Sequence, residues 1–200
     1  MRHTSSDDLL PMSFPAIQID HPSWLPAFVD WDRPLHTDEE RMRLAIELSR
    51  QNVVHGTGGP FGAVIVDSDT GRLVSVGVNS VVRLNNCTLH AEMVAFMMAQ
   101  ARIGCFTLRD GGRPRHELVT SCEPCAMCLG ATLWSGVGRV VCGARGEDAR
   151  QLDFDEGPVF PASHEYLETR GIEIVRDLLR DEAVAVLELY GAENGLIYNG

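Results

Sequence analysis

Phe61-Gly-Ala-Val-Ile-Val66 and Leu73-Val-Ser-Val-Gly-Val78, separated by Asp67-Ser-Asp-Thr-Gly71, decide the fold class. Both apolar runs are strand-like and the spacer concentrates turn formers, so the stretch predicts a hairpin. Upstream, Thr37 with Glu40 is a capping-box pattern, and Met42, Ala45, Ile46 and Val53 recur at helical spacing until His55-Gly-Thr-Gly-Gly-Pro60 breaks the helix. Downstream, the pattern predicts a helix over His90–Ile103 stopped by Gly104, and a strand over Glu117–Ser121. A short helix over Cys125–Trp134 and a strand over Arg139–Cys142 follow, then a polar region from Gly146 to Pro158. The remainder reads as a helix over Ser163–Thr169, a strand over Ile172–Val175, a helix over Asp181–Tyr190 and an acidic tail. An antiparallel pair followed by strands alternating with helices predicts an α/β layered sheet with helices on both faces. Residues 1–36 are rich in Pro, Asp, His and Trp and lack periodicity. They read as an N-terminal arm, with Trp24 and Trp31 anchoring it to the body or to a second subunit, ahead of one domain over 37–200.

Composition narrows the chemistry. The 200 residues are 44% hydrophobic and 22% charged, a globular rather than a disordered balance, and a chain of this length buries about 70% of its surface without disulfide help. Seventeen basic residues against 28 acidic ones give a net charge of −11, which disfavours a phosphate-gripping surface and hence nucleic acid as partner. All seventeen are Arg. The absence of Lys removes Schiff-base chemistry and phosphate loops built on a Gly-Lys pair. With no run of 18 apolar residues, no membrane span is expected, and the polar stretch Met1–Leu10 does not read as a signal peptide. The expected compartment is the cytoplasm, so Cys87, Cys105, Cys122, Cys125, Cys128 and Cys142 read as metal ligands or buried thiols before disulfides.

Two segments carry the chemistry: His90-Ala91-Glu92 and Pro124-Cys125-Ala126-Met127-Cys128. One imidazole and two thiolates suit zinc, and three protein ligands leave the fourth position of a catalytic site open to water. Cys125 and Cys128 share one side of a first helical turn, where the helix N-terminus favours ionised thiols. Glu92 is the candidate proton carrier. On an ideal helix it lies about 200° from His90, so the pair shares a site only if the helix end itself aims there. His-x-Glu with Pro-Cys-x-x-Cys is the pattern of zinc-dependent base deaminases. Two alternatives use Cys122 as well: a closed structural zinc site, or an iron–sulfur cluster, whose usual fourth Cys before Pro is missing.

On these residues the chain resembles the cytidine deaminase-like superfamily and, within it, the bacterial guanine deaminases. All the motifs fall in roughly residues 37–158; the C-terminal third matches more loosely. The resemblance implies a three-layer α/β/α sandwich with a mixed five-stranded sheet, and hydrolysis of guanine to xanthine and ammonia. It implies one zinc per chain on His90, Cys125 and Cys128 with water as fourth ligand, and Glu92 as proton shuttle. Asn79, eleven residues before His90, and the Ala91 amide would hold the base. Phe61, in Gly59-Pro-Phe-Gly62, would stack on it, and Trp134, six residues after Cys128, would line the pocket. Phe154-Asp155-Glu156 stands where the relatives have Phe-Asp-Asp, which makes Glu156 a second catalytic acid with Asp155 as competitor. Each has an ordinary alternative: Phe61 and Trp134 as core aromatics, Asn79 as a strand-end cap, and Glu156 as part of a solvated loop with Glu147, Asp148, Asp153 and Asp155. His55 and Cys87 read as neighbours of the pocket rim without a role. Ammeline and guanosine are alternative substrates for the same pocket. A tRNA adenosine substrate is disfavoured because Asp181–Gly200 contains four acidic residues and no basic one. A zinc-stabilised interaction module is the non-enzymatic alternative, disfavoured by the presence of Glu92. The resemblance also implies a homodimer, with exchanged C-terminal segments in which Tyr198 would cover a neighbour's pocket.

Overall fold

The computed structural model describes residues 14–109 and 116–199. The part of the arm and of the polar N-terminus within residues 1–13 lies outside the described residues, as does Gly200. The hairpin forms as its sequence dictates: β1 (Gly62–Asp67) pairs antiparallel with β2 (Leu73–Val78). Its turn is held by the Asp67 carboxylate, whose Oδ1 accepts from the Asp69 and Thr70 amides at 3.0 Å each. β1 also pairs antiparallel with β3 (His116–Cys122), which runs parallel to β4 (Arg139–Ala144), itself parallel to β5 (Glu173–Val175). The strand order β2-β1-β3-β4-β5 is a mixed five-stranded sheet.

β1 and β3 are buried along their whole length, so alternate residues feed two cores. Val64 and Val66 face a cluster with Met42, Ile46, Val186 and Leu187, from α2 (Asp38–Val54) and α8 (Arg180–Ala192). Ala63 and Ile65 face Ala91, Ala95 and Phe96 of α4 (Ala91–Ile103), with Leu129 and Leu133 of α5 (Ala126–Ser135) packed alongside. The three layers expected from the sequence are therefore present. Leu25 and Val29, in and just after the short helix α1 (Leu25–Phe28), join Leu35 in the α2/α8 core, so residues 25–35 contribute to the packing of the body.

The capping box starts α2 as read: Thr37 Oγ1 accepts from the Glu40 amide, and Glu40 Oε2 accepts from the Thr37 amide, both at 3.2 Å. Three short helices were not legible as periodicity. α1 lies in the arm, α3 (Val81–Leu84) follows β2, and α6 (Gly146–Arg150) lies in the stretch read as polar loop. α6 exists because Asp148 accepts from the Arg145 amide at 2.8 Å and is clasped twice by Arg180, a partner 32 residues away. α7 (Pro161–Thr169) begins two residues earlier than read, with Pro161 at its first position.

Candidate active site

Both chemistry-bearing segments sit at helix N-termini, and neither first ligand is helical. His90 is the N-cap of α4 (φ −65°, ψ 160°) and Cys125 the N-cap of α5 (φ −64°, ψ 175°), both with extended backbone. This resolves the angular conflict between His90 and Glu92. Because His90 precedes the first helical residue, the 200° rule does not apply, and the imidazole and carboxylate converge. Gly77 on β2 sets the position of α4: a Cβ there would lie 2.0 Å from the Ala91 carbonyl oxygen and 2.5 Å from the Ala95 nitrogen. α5 follows the C-terminal end of β3, where open α/β sheets hold their ligands.

One donor atom from each of His90, Cys125 and Cys128 lies within 4.8 Å of the others. His90 Nδ1 is 3.4 Å from Cys125 Sγ, and the Cys128 thiol donates to Glu92 Oε2 at 3.4 Å. Cys122 stands apart from this group and donates to the Arg145 carbonyl at 3.5 Å, so neither the four-ligand zinc site nor the cluster spacing is assembled. The two thiols diverge: contact with Cys125, then burial, holds the Cys128 thiol well above its ordinary value. Contact with Cys128 first, then with His90, holds the Cys125 thiol down at about 4. Burial, then the Cys125 charge, pushes the Glu92 carboxyl up to about 7 and, with Glu92 added, the Glu156 carboxyl up to about 8. His90 is raised: burial opposes its charge, but Cys125 outweighs burial. An imidazole and two sulfurs at this spacing fit zinc in donor type.

The site opens into a cavity of about 280 Å³, lined among others by Phe61, His90, Glu92, Cys125, Glu156 and Tyr198. Phe61 meets Phe154 edge-on at 5.1 Å. Glu156 is 8% exposed, whereas Asp155 is exposed and accepts from the Gly157 amide at 2.8 Å. Asn79 is 1% exposed and its Nδ2 makes no hydrogen bond within the described residues. Its side chain lies beside the Tyr198 hydroxyl, whose pKa burial lifts well above the ordinary phenol value. Ala91 is fully buried at the first position of α4, where an amide N–H has no intrahelical acceptor.

One expectation needs correction. Trp134 does not line this cavity within the chain; it is 76% exposed and borders a separate depression with Thr107, Gly136 and Arg170. Six residues beyond Cys128 the helix has turned to about 120° from the cysteine's face. Tyr198 lies over its own chain's cavity, against Phe154 at 5.2 Å, with Asn199 accepting from the Asp155 amide at 2.9 Å. Sequence reasoning missed Glu123, Phe154 and Asn199 as lining residues and gave Cys87 no role, although Cys87 lines the cavity too. The adjacency of Glu123 to Pro124-Cys125 and the place of Phe154 in Phe154-Asp155-Glu156 were the available signals.

The sequence model described as the cytidine and deoxycytidylate deaminase zinc-binding region matches residues 35–144. Guanine deaminase from Bacillus subtilis (strain 168) is 37% identical over 134 residues, covering 67% of this chain and 81% of the relative. A solved guanine deaminase from Nitrosomonas europaea is 42% identical with a TM-score of 0.84, covering 88% of this chain and 97% of its own. A further solved complex, with 2,6-diaminopurine, is 43% identical with a TM-score of 0.86, covering 92% and 97%. The family match spans more than half of the chain and contains His90, Glu92, Cys125 and Cys128, so the resemblance first read from those residues holds, and the chain belongs to the zinc-binding cytidine and deoxycytidylate deaminase family.

Proposed function

We propose that this protein hydrolyses guanine to xanthine and ammonia. The observation that carries the reading is the convergence of His90, Cys125, Cys128 and Glu92 at one end of a small cavity that also holds Phe61 and Glu156. A volume of about 280 Å³ lies at the lower edge of small-ligand pockets and suits a free base. Similarity to guanine deaminases over nearly their whole length points to the same ring.

His90, Cys125 and Cys128 would hold one zinc per chain, with water as the fourth ligand. When bound, zinc would supply Lewis-acid activation of that water, lowering its pKa toward about 7. The remaining work belongs to the chain. Phe61 stacks on the purine, while Asn79 Nδ2 and the Ala91 amide hold its edge and orient C2 toward the attacking water. Glu92, buried at 6% exposure, takes the proton that the water loses and delivers it to ring N3. Glu156 protonates the departing amino group, which leaves as ammonia, and recovers a proton from the C2 hydroxyl as the xanthine carbonyl forms. Asp155 also borders the cavity, but it is exposed and its carboxylate accepts from the Gly157 amide, so the role is assigned to Glu156. Assembly as a homodimer belongs to the same reading: the exposed Trp134 on α5 offers a surface to a second copy. Six cysteines without a disulfide are in keeping with the cytoplasm, and no helix among the described residues is long and apolar enough to cross a membrane.

The test is ultraviolet monitoring of guanine conversion by zinc-loaded protein beside Glu92→Ala. The wild type is expected to form xanthine, while the variant binds zinc and is inactive. A zinc-loaded, folded wild type that leaves guanine untouched overturns the substrate. Substantial turnover by Glu92→Ala overturns the proton-carrier role.

A further inference from the structure

The loop 55–60 delivers Phe61 to the cavity, and the Asn79 amide donates to the Phe61 carbonyl at 3.1 Å, so the two base-binding candidates share one piece of backbone. That backbone hangs on Asn52, fully buried in the last turn of α2. Asn52 Nδ2 donates to the Gly59 carbonyl and to the Asn79 carbonyl, both at 2.9 Å. Its Oδ1 accepts from the Thr57 hydroxyl at 2.7 Å, and Thr57 Oγ1 in turn accepts from Trp24 Nε1 at 3.0 Å. The Trp24 ring stacks on His55, centroids 5.3 Å apart and planes 11° from parallel.

The direction of this chain is determined. An indole N–H only donates, so the Thr57 hydroxyl accepts there and directs its own proton to Asn52 Oδ1 at 2.7 Å in preference to the Asn52 backbone carbonyl at 3.4 Å. The Asn52 amide is thereby locked with both of its N–H bonds committed to the two carbonyls. Gly58 confirms how closely the loop is drawn in: a Cβ there would lie 2.0 Å from the Asn79 carbonyl oxygen and 2.7 Å from Asn52 Nδ2. Trp24 lies outside residues 35–144, the stretch that matches the family.

We infer that Trp24, Thr57 and Asn52 are positioning residues that set the placement of Phe61 and Asn79, so that a segment outside the family's common region tunes affinity for the base. The inference rests on the reading of Phe61 and Asn79 as base-binding residues. Trp24→Phe keeps an aromatic ring on His55 but removes the donor; Thr57→Val breaks the next bond. Each is expected to raise KM for guanine about five- to tenfold, the worth of one hydrogen bond, with kcat within about twofold. In the inactive Glu92→Gln background, equilibrium dialysis with guanine is expected to show the same weakening of Kd, and zinc content is expected to stay at the wild-type level. Because the bonds form one chain, the double variant is expected to be no worse than Thr57→Val alone.

Unchanged Kd in Trp24→Phe and Thr57→Val, with Asn79→Ala weakened, overturns the relay and leaves the base-binding reading standing. A lowered melting temperature with Kd and KM unmoved shows mere structural support and also overturns it. Unchanged Kd in Asn79→Ala removes the reading on which the relay stands.

Discussion

Glu156 and Asp155 are sequence neighbours of one charge type, and their surroundings separate them. Glu156 turns inward to 8% exposure beside Glu92 and Cys125, and burial leads the forces that push its carboxyl up to about 8. A carboxyl that keeps its proton near neutrality is suited to giving one to a departing amine. Asp155 instead stays at the surface and closes a turn on Gly157. Glu156→Gln is therefore expected to lower kcat by about 10²-fold or more with zinc retained, while Asp155→Asn leaves kcat near wild type. Steady-state guanine kinetics with metal analysis decide between them, and the reverse pattern exchanges the two roles. The convergent group His90, Cys125 and Cys128 with Glu92 was legible at this scale because residue types at fixed short spacing need no knowledge of the fold. Trp134 was misplaced because its spacing from Cys128 says nothing about which way its helical face points. Asn199 was missed because only chain packing brings it to the cavity.

At the scale of elements, the site exists because two helix starts meet, and β2 holds one of them in place. The approach of α4 to β2 depends on the missing side chain at Gly77, whose neighbours across the gap are backbone atoms of Ala91 and Ala95. Gly77→Val is expected to cost roughly 1–3 kcal/mol, because backbone yields less readily than a side-chain tip. It is also expected to displace His90, the N-cap of that helix. Melting temperature and zinc per chain check this: both are expected to fall, and a full zinc complement at wild-type stability would show that α4 tolerates the shift. The hairpin, α2 and the helix start signals were readable from turn chemistry, capping and period. α6 was not, since five residues carry no period and a distant arginine, Arg180, holds its cap.

The molecule as a whole is acidic, and several of its arginines pair with carboxylates at both ends of the sheet. Glu117, 1% exposed, receives Arg41 and Arg139, and Arg139 also binds both oxygens of Asp38 at 2.9 and 2.6 Å. Hydrogen bonding from Arg139 leads the forces that lower the Asp38 pKa. A lowered folded-state pKa means that the unfolded chain binds the proton more readily. Asp38 thus stabilises the fold above its unfolded value of about 3.9, and that contribution is lost as pH falls through the lower folded value. Asp38→Asn is expected to melt below wild type at pH 7, with the gap closing as pH drops below about 4; melting curves at pH 7 and pH 3 test this, and an unchanged gap would show that the ion pair is not the source. Taken by itself, the sequence determined the layered α/β class, the metal's donor set and the reaction class, because local period, capping and ligand spacing act over a few residues. Only the tertiary structure decided that His90 and Cys125 lie outside their helices, that Tyr198 closes over its own cavity, and that Trp24 reaches Asn79 through Thr57 and Asn52. Those contacts join residues tens of positions apart, and their directions follow from packing and hydrogen-bond satisfaction that no short window of sequence contains.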